Sequence, residues 1–293
     1  MMKKVILILL MSGITACAAA GTKSMIKDAR RYMSEGKYKR AITLFKKAEV
    51  KAPSSRLMSI YIDMGVCYRK TGDYDNAIKS YKKAAEISPK MADIYYNIGL
   101  AYYYKRYYKQ AINHFKKATG LSPNFAEAYG AQAMAYRDYG LLDRAVKAVK
   151  KAIRIDPSYA GGYAILGNCY EDRKWHTDAI KMYKQAITLR PDYTSAFYNL
   201  GIVYDELGRH SEAVDAYRQA LRLEKKDPGL YYNLGIAYMG MSDYYRSQDA
   251  FKEAIMLQPN MEEAYDYLVT SLKKSGMSRQ AKKWKDIRDK RFR

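Results

Sequence analysis

The sequence predicts an all-α protein built as a row of antiparallel helical hairpins, about eight in number, with degenerate units at both ends. Three observations carry that expectation. Tyrosine, glycine and alanine positions recur every 34 residues, as in Gly65, Gly99, Gly167, Gly201 and Gly235. Each recurrence splits into two stretches of helical length and spacing, and prolines close most of them. The chain is 48% hydrophobic, enough for a continuous core, and its 18 glycines and 7 prolines are too few for a disordered or collagen-like polymer.

The units follow in order. The first, 22–55, carries Tyr32, Gly36, Ala41, Phe45, Ala48 and Pro53, with Ala29 where later units place glycine; Arg56 and Leu57 are expected to lengthen the connection after it. The second, 58–91, shows the pattern in full: Tyr61, Met64, Gly65, Tyr68, Gly72, Tyr74, Ala77, Tyr81, Ala84 and Pro89. The third, 92–125, has Tyr95, Gly99, Tyr102, Ala111, Phe115, Ala118 and Pro123, and the fourth, 126–159, has Tyr129, Ala133, Tyr136, Gly140, Ala145, Ala152 and Pro157. The fifth, 160–193, repeats it with Tyr163, Gly167, Tyr170, Ala179, Tyr183, Ala186 and Pro191. The sixth, 194–227, has Phe197, Gly201, Tyr204, Gly208, Ala213, Tyr217 and Ala220, and the seventh, 228–261, has Tyr231, Gly235, Tyr238, Phe251, Ala254 and Pro259. The last, 262–293, keeps Tyr265, Leu268, Gly276 and Ala281, then turns basic through Lys282, Lys283 and Arg288 to Arg293. It is expected to be a polar cap, because a terminal repeat has no neighbour to cover one face.

Small residues at the glycine and alanine positions let two helices approach closely, and the tyrosines fill the gap to the next hairpin. Proline stops each second helix because it lacks an amide donor and disfavours helix in the residue before it. This pattern resembles the tetratricopeptide repeat. The resemblance implies a right-handed superhelical solenoid of antiparallel helix pairs over 22–293, whose first helices line a concave groove. Most of the 31 tyrosines fall on repeat positions and are thereby core, so their number is no argument for nucleic-acid stacking.

The N-terminus reads as an address. Lys3 and Lys4 precede an apolar run from Val5 to Met11, which is a signal peptide over 1–16 and too short for a transmembrane helix. The segment Ile14-Thr15-Ala16-Cys17 resembles a bacterial lipobox. That resemblance implies lipidation of Cys17, a short tether over 17–21, and attachment to a membrane of the bacterial envelope. Ala18 after the cysteine favours the periplasmic side of the outer membrane. The alternative is plain secretory cleavage within Ala16 to Ala20. The other two cysteines, Cys67 and Cys169, stand three repeats apart at one repeat position, so they are expected to be small buried residues rather than a disulfide.

Residues of the first helices not committed to packing are the candidates for binding. Tyr96 and Asn97, Tyr198 and Asn199, and Tyr232 and Asn233 occupy equivalent positions. An asparagine amide both donates to and accepts from a peptide backbone, which suits it to anchoring an extended segment. Tyr103 and Tyr104 extend the third-unit patch; the other reading is that Tyr-Asn simply packs the hairpins. Asn168 stands where related proteins place one member of a carboxylate clamp, but Ala164 replaces the basic residue expected one turn earlier, so the set is incomplete. Glu171, Asp172, Asp205 and Glu206 form an acidic stretch nearby that could receive a basic partner or simply be solvated.

The formal charge of +22 makes an anionic partner the other candidate. On the second helices Lys46, Lys47, Lys82, Lys83, Lys116, Lys117, Lys150, Lys151 and Lys184 share one repeat phase, a basic stripe expected on the convex side. It would suit an anionic lipid surface or polymer, or be a solvated face; nucleic acid is disfavoured for an exported protein. His114, His176 and His210 lie on different repeats, and there is no phosphate loop or nucleophile motif, so neither an enzyme, a cofactor nor a metal site is expected. The expected function is a membrane-tethered scaffold that holds a protein or peptide in its groove and assists assembly of an envelope complex, whether pilus or secretin, transporter or cell-wall machinery. The alternative is an adaptor for an anionic polymer or lipid surface through the stripe and the basic tail.

Overall fold

The computed structural model describes residues 21–292, all of whose regular structure is helical. The signal peptide and Cys17 lie outside the described residues. The chain divides into two units that meet at Ile155 and Asp156. Unit 1 contains α1 (21–34), α2 (Tyr38–Lys51), α3 (Ser54–Lys70), α4 (Tyr74–Ile87), α5 (Ala92–Tyr104), α6 (Tyr108–Leu121), α7 (Ala126–Asp138) and α8 (Leu142–Ile155). Unit 2 contains α9 (Ala160–Asp172), α10 (His176–Leu189), α11 (Thr194–Glu206), α12 (His210–Leu223), α13 (Pro228–Gly240), α14 (Tyr244–Leu257), α15 (Glu262–Lys274) and α16 (Ser278–Arg291). Helices pack in consecutive pairs, and first helices lie beside one another: α3 against α5 and α5 against α7 in unit 1, and α9, α11, α13 and α15 in sequence in unit 2.

One close contact sets each pairing. A Cβ added at Gly65 would sit 2.5 Å from the Tyr81 ring, and at Gly99 2.6 Å from Phe115. Unit 2 repeats this with Gly167 and Tyr183, Gly201 and Tyr217, and Gly235 and Phe251. The aromatic ring of the second helix therefore packs on the bare backbone of the first, and all five rings are fully buried. In the pair α7 and α8 the same two positions hold Ala133 and Val149, both fully buried, so a larger first-helix residue accompanies a smaller second-helix one.

The turns within the hairpins require the left-handed backbone region. Gly36, Gly72, Gly140, Gly208 and Gly276 supply it without strain, whereas Arg106 (φ 61°), Lys174 (59°) and Ser242 (59°) adopt it despite their side chains. Between hairpins, proline and tyrosine act together: Tyr95 donates to the Pro89 carbonyl at 3.0 Å and Tyr265 to that of Pro259 at 3.3 Å. Asp73 and Asp243 cap α4 and α14 by accepting from Asn76 N and Arg246 N, and Asp227 caps α13, whose first residue is Pro228.

One expectation is corrected. Arg56 and Leu57 do not lengthen a connection; α3 starts at Ser54, directly after Pro53, and takes both into a 17-residue helix. The Arg56 amide bonds to the Pro53 carbonyl at 2.9 Å, so the helix start satisfies a group that an extended loop would leave to water. The last helix, α16, buries only Ala281 fully among its described residues, with Trp284 and Ile287 leaning onto the core of the preceding pair. Cys67 and Cys169 are buried and not joined in a disulfide, and burial with Asp63 nearby pushes the Cys67 thiol up to about 12.

Candidate functional site

In unit 1 the first-helix face centres on α5. Tyr96 is half-buried, its ring centre 5.1 Å from that of Phe125 and 6.0 Å from that of Phe115. The Asn97 amide donates to the Asp93 carbonyl one turn back at 2.8 Å, a bond within its own helix. Tyr103 donates to Asp138 Oδ2 at 2.5 Å, crossing to α7; burial and that carboxylate both raise its phenol pKa. Tyr104 is 51% exposed and stacks on Tyr74 at 5.8 Å. Tyr103, Tyr104, Tyr74 and Tyr108 thus form one partly open aromatic surface at the turn end of α5.

In unit 2 the predicted residues are bonded to one another. Asn168 Oδ1 accepts from the Asn199 amide at 2.9 Å and lies 2.7 Å from the Tyr183 hydroxyl, so it ties α9 to both α10 and α11. The Asn233 amide donates to the Tyr198 hydroxyl at 2.9 Å, tying α13 to α11, and Tyr232 meets Tyr267 edge-on at 5.7 Å. Burial is the main reason the Tyr232 phenol is pushed up to about 12. Unit 1 has a counterpart where Arg30 pairs with Asp63 at 2.7 Å. The position that holds Asp63, Asn199 and Asn233 therefore clasps those three hairpins to their predecessors, and Asn97 differs in bonding within its own helix. A cleft of about 580 Å³ opens beside Tyr198, lined by Tyr193, Ser195, Arg190, Asp192 and Glu224.

The acidic stretch is likewise paired internally. Glu171 Oε2 lies 2.9 Å from the Tyr183 hydroxyl, and Glu206 meets Lys174 at 3.1 Å and His176 at 3.7 Å. Asp205 holds His210 Nδ1 at 3.0 Å and a hydrogen bond from Tyr217. Burial raises the Asp205 carboxyl pKa against the pull of both partners. The His210 ring lies so close to Gly240 that a Cβ there would meet it at 2.5 Å.

Two buried donors in unit 1 stand out against this pattern. Tyr81 is fully buried, and neither its hydroxyl nor Arg69 Nε on the facing turn of α3 makes a hydrogen bond of ordinary geometry, although the guanidinium stands beside the phenol. The guanidinium lies near enough to lower the phenol pKa, but desolvation dominates and holds it at about 12. Single-position reading overlooked this pair; the signal was available in the columns Tyr81, Tyr183, Tyr217 and Arg69, Glu171, Asp205.

The lysines of the basic stripe lie on α2, α4, α6, α8 and α10, exposed except for the half-buried Lys151. In the pairs on α4, α6 and α8 the second lysine leans over the tyrosine 22 residues earlier: Lys83 over Tyr61 at 4.9 Å, Lys117 over Tyr95 at 4.1 Å and Lys151 over Tyr129 at 4.4 Å. Lys83 also pairs with Glu49 at 2.9 Å, and Lys46 and Lys184 lie 5.9 Å from Tyr68 and Tyr204. Part of the stripe is thus a set of cation–π contacts that cover the hairpins' own tyrosines. Among the described residues no group of His, Cys, Asp and Glu could hold a metal, and no helix is long and apolar enough to cross a membrane.

Consecutive antiparallel helix pairs, joined by ring-on-glycine contacts and presenting a polar, aromatic first-helix face, define a helical-repeat scaffold. Family models confirm which one: the TPR repeat model matches residues 65–105, 172–208 and 204–242, and the tetratricopeptide repeat model matches 92–125, 126–159 and 228–261. The chain belongs to the tetratricopeptide repeat family. Its structure is similar to that of a tetratricopeptide repeat protein from Parabacteroides merdae ATCC 43184, at 17% identity, covering 87% of this chain and 100% of that one with a TM-score of 0.67. It is also similar to MamA, at 30% identity over 57% of this chain and 97% of that one with a TM-score of 0.50. Pseudomonas aeruginosa pilF is 19% identical over 69% of this chain and 91% of that one, with a TM-score of 0.61. No curated protein matches the sequence. Repeats of this family generally mediate contacts between proteins and are generally not catalytic.

Proposed function

We propose that the protein is a lipid-anchored scaffold of the bacterial envelope that holds a partner protein or peptide against the first-helix face of unit 1, and so assists assembly of an envelope complex. The observation that carries this reading is the surface around α5. There Tyr104 is half-exposed, and the Asn97 amide bonds only within its own helix, so it can turn to a partner backbone without undoing the hairpin stack. The corresponding asparagines of unit 2 already join neighbouring hairpins. The lipid anchor rests on the lipobox ending at Cys17 and the outer membrane on Ala18.

The test is affinity purification of the tagged full-length protein from detergent-treated membranes, beside the double variant N97A/Y104A. A protein captured by the unaltered chain at high salt and lost from the variant supports the scaffold. Equal capture by both refutes the α5 surface, and anionic material released from both by salt would favour the lysine-rich face instead. Metabolic labelling with a tritiated fatty acid, run beside C17A, checks the anchor; label retained by C17A overturns it.

A further inference from the structure

Antiparallel pairing puts the start of α1, the end of α2 and the start of α3 at one edge of unit 1, the edge of the connections between hairpins. The Thr22 hydroxyl donates to the Lys51 carbonyl at 3.4 Å and fixes that juxtaposition. Lys23, Lys47, Lys51 and Arg56 share this edge, and none of them makes an ion pair among the described residues. Glu49, the acid in this group, is committed to Lys83 at 2.9 Å. Val50 stands in their midst 84% exposed, an aliphatic side chain with most of its surface in water. Ile87, Lys90 and Met91 continue the edge at the next connection, where Glu86 and Asp93 are the opposing charges. The corresponding connections of unit 2 carry Asp192, Glu224, Asp227, Glu262 and Glu263 against Arg190, Lys225 and Lys226. A positive connection edge therefore belongs to the unit that follows the tether.

We infer that this edge of unit 1 rests on the anionic headgroups of the membrane that holds the lipid, with Val50 entering the interface. The inference rests on the proposed lipid anchor and gives the anchored chain an orientation. Four residues lead from Cys17 to Gly21, a reach of at most about 14 Å, so the edge where α1 begins is the part of unit 1 that the anchor holds nearest the bilayer. The turn edge is basic too, through Lys39, Arg40, Arg106 and Lys109, but α1 carries the chain about 20 Å before reaching it. Each cation beside an anionic surface raises the bound population about fivefold, and an apolar side chain among them adds burial. Tyr103 and Tyr104, at the far end of the 13-residue α5, then stand about 20 Å from the headgroups, clear for a partner.

The test uses the lipidated chain, purified from detergent-treated membranes and reconstituted into vesicles. A fluorophore is attached to the new thiol of V50C or, as the control on the turn edge, of K109C, because Cys67 and Cys169 are buried. The vesicles are phosphatidylglycerol mixed with phosphatidylcholine, or phosphatidylcholine alone, each with a headgroup spin label as quencher. Quenching of V50C and not of K109C is expected on the anionic vesicles. Adding K23Q/K47Q/K51Q should lower the docked-to-undocked ratio by about a hundredfold and bring V50C down to the level of K109C, and neutral vesicles should do the same. Equal quenching at the two positions overturns the inference, as does quenching of V50C that the triple variant and neutral vesicles leave unchanged. Flotation with the vesicles in high salt separates this from the anchor. A chain that floats without quenching of V50C keeps the anchor and refutes the edge, whereas a chain that fails to float refutes both.

Discussion

Removing one oxygen from Tyr81, Tyr183 or Tyr217 in turn should have effects of different sign. Y183F deletes a hydroxyl lying between Asn168 at 2.7 Å and Glu171 at 2.9 Å. A hydrogen bond to a charged group contributes about 1.5–3 kcal/mol, and the half-exposed surroundings of Glu171 put the expected loss near the lower end, about 1.5 kcal/mol. Y217F should cost about as much through Asp205. Y81F deletes a buried hydroxyl that makes no hydrogen bond of ordinary geometry and faces only the Arg69 guanidinium, so what it loses there is offset by a desolvation penalty of about 1–3 kcal/mol and the change is expected to be neutral or stabilising by about 1 kcal/mol. The separation between Y81F and Y183F is then about 2 kcal/mol. Because repeat arrays depart from two-state unfolding, urea midpoints should be read together with amide hydrogen exchange of α3, α4, α9 and α10. If Y81F lost as much protection in α3 and α4 as Y183F loses in α9 and α10, the Tyr81 hydroxyl would have an acceptor inside the fold, and the reasoning would be wrong.

Four further outcomes are expected. G99A places a Cβ 2.6 Å from the Phe115 ring, and overpacking of about 1–3 kcal/mol should outweigh a helix-propensity gain of about 1 kcal/mol, lowering the melting temperature; an unchanged melt refutes the contact. R106G relieves a left-handed non-glycine residue and should stabilise by about 1 kcal/mol in urea titration, with destabilisation as the contrary result. His114 stacks on Tyr95 and Tyr102, and burial, then Lys82 and Lys117, depress its pKa below 6.5. Its contribution is therefore present above pH 6.5 and lost as pH falls through the lower folded value; H114Q should flatten that acid-side slope, and an unaltered slope would exclude His114 as its source. K117M should cost about 0.5–1 kcal/mol through the contact with Tyr95 while the neighbouring K116M costs little; equal effects would remove the distinction between the two lysines.

The candidate surface was legible only in part. A single period located Tyr96, Asn97, Tyr198, Asn199, Tyr232 and Asn233, because equivalent positions share an environment in a repeat array. The same logic treated the three asparagines as alike, and they are not. Whether an amide meets a neighbour depends on the residue about one repeat away: Asn168 and Tyr198 are there to meet Asn199 and Asn233, whereas Asn97 bonds to Asp93 of its own helix. The lysine stripe was legible as charge, but its turn onto Tyr61, Tyr95 and Tyr129 joins residues 22 apart, a spacing that no single-helix pattern reports.

The sequence by itself determined the helix pairs, their order and the family, since a 34-residue repetition of glycine, tyrosine and proline constrains backbone geometry locally and in the same way in most units. Tertiary structure decided the identity of each polar contact. Arg56 and Leu57 joined α3 because the helix gives the Arg56 amide a carbonyl, the acids of unit 2 met tyrosine, histidine and lysine, and Arg69 and Tyr81 were left facing each other. Burial enforces the repeat pattern through area and shape, which tolerate little variation. Hydrogen bonding depends on which single atom stands opposite, and that atom belongs to a different helix.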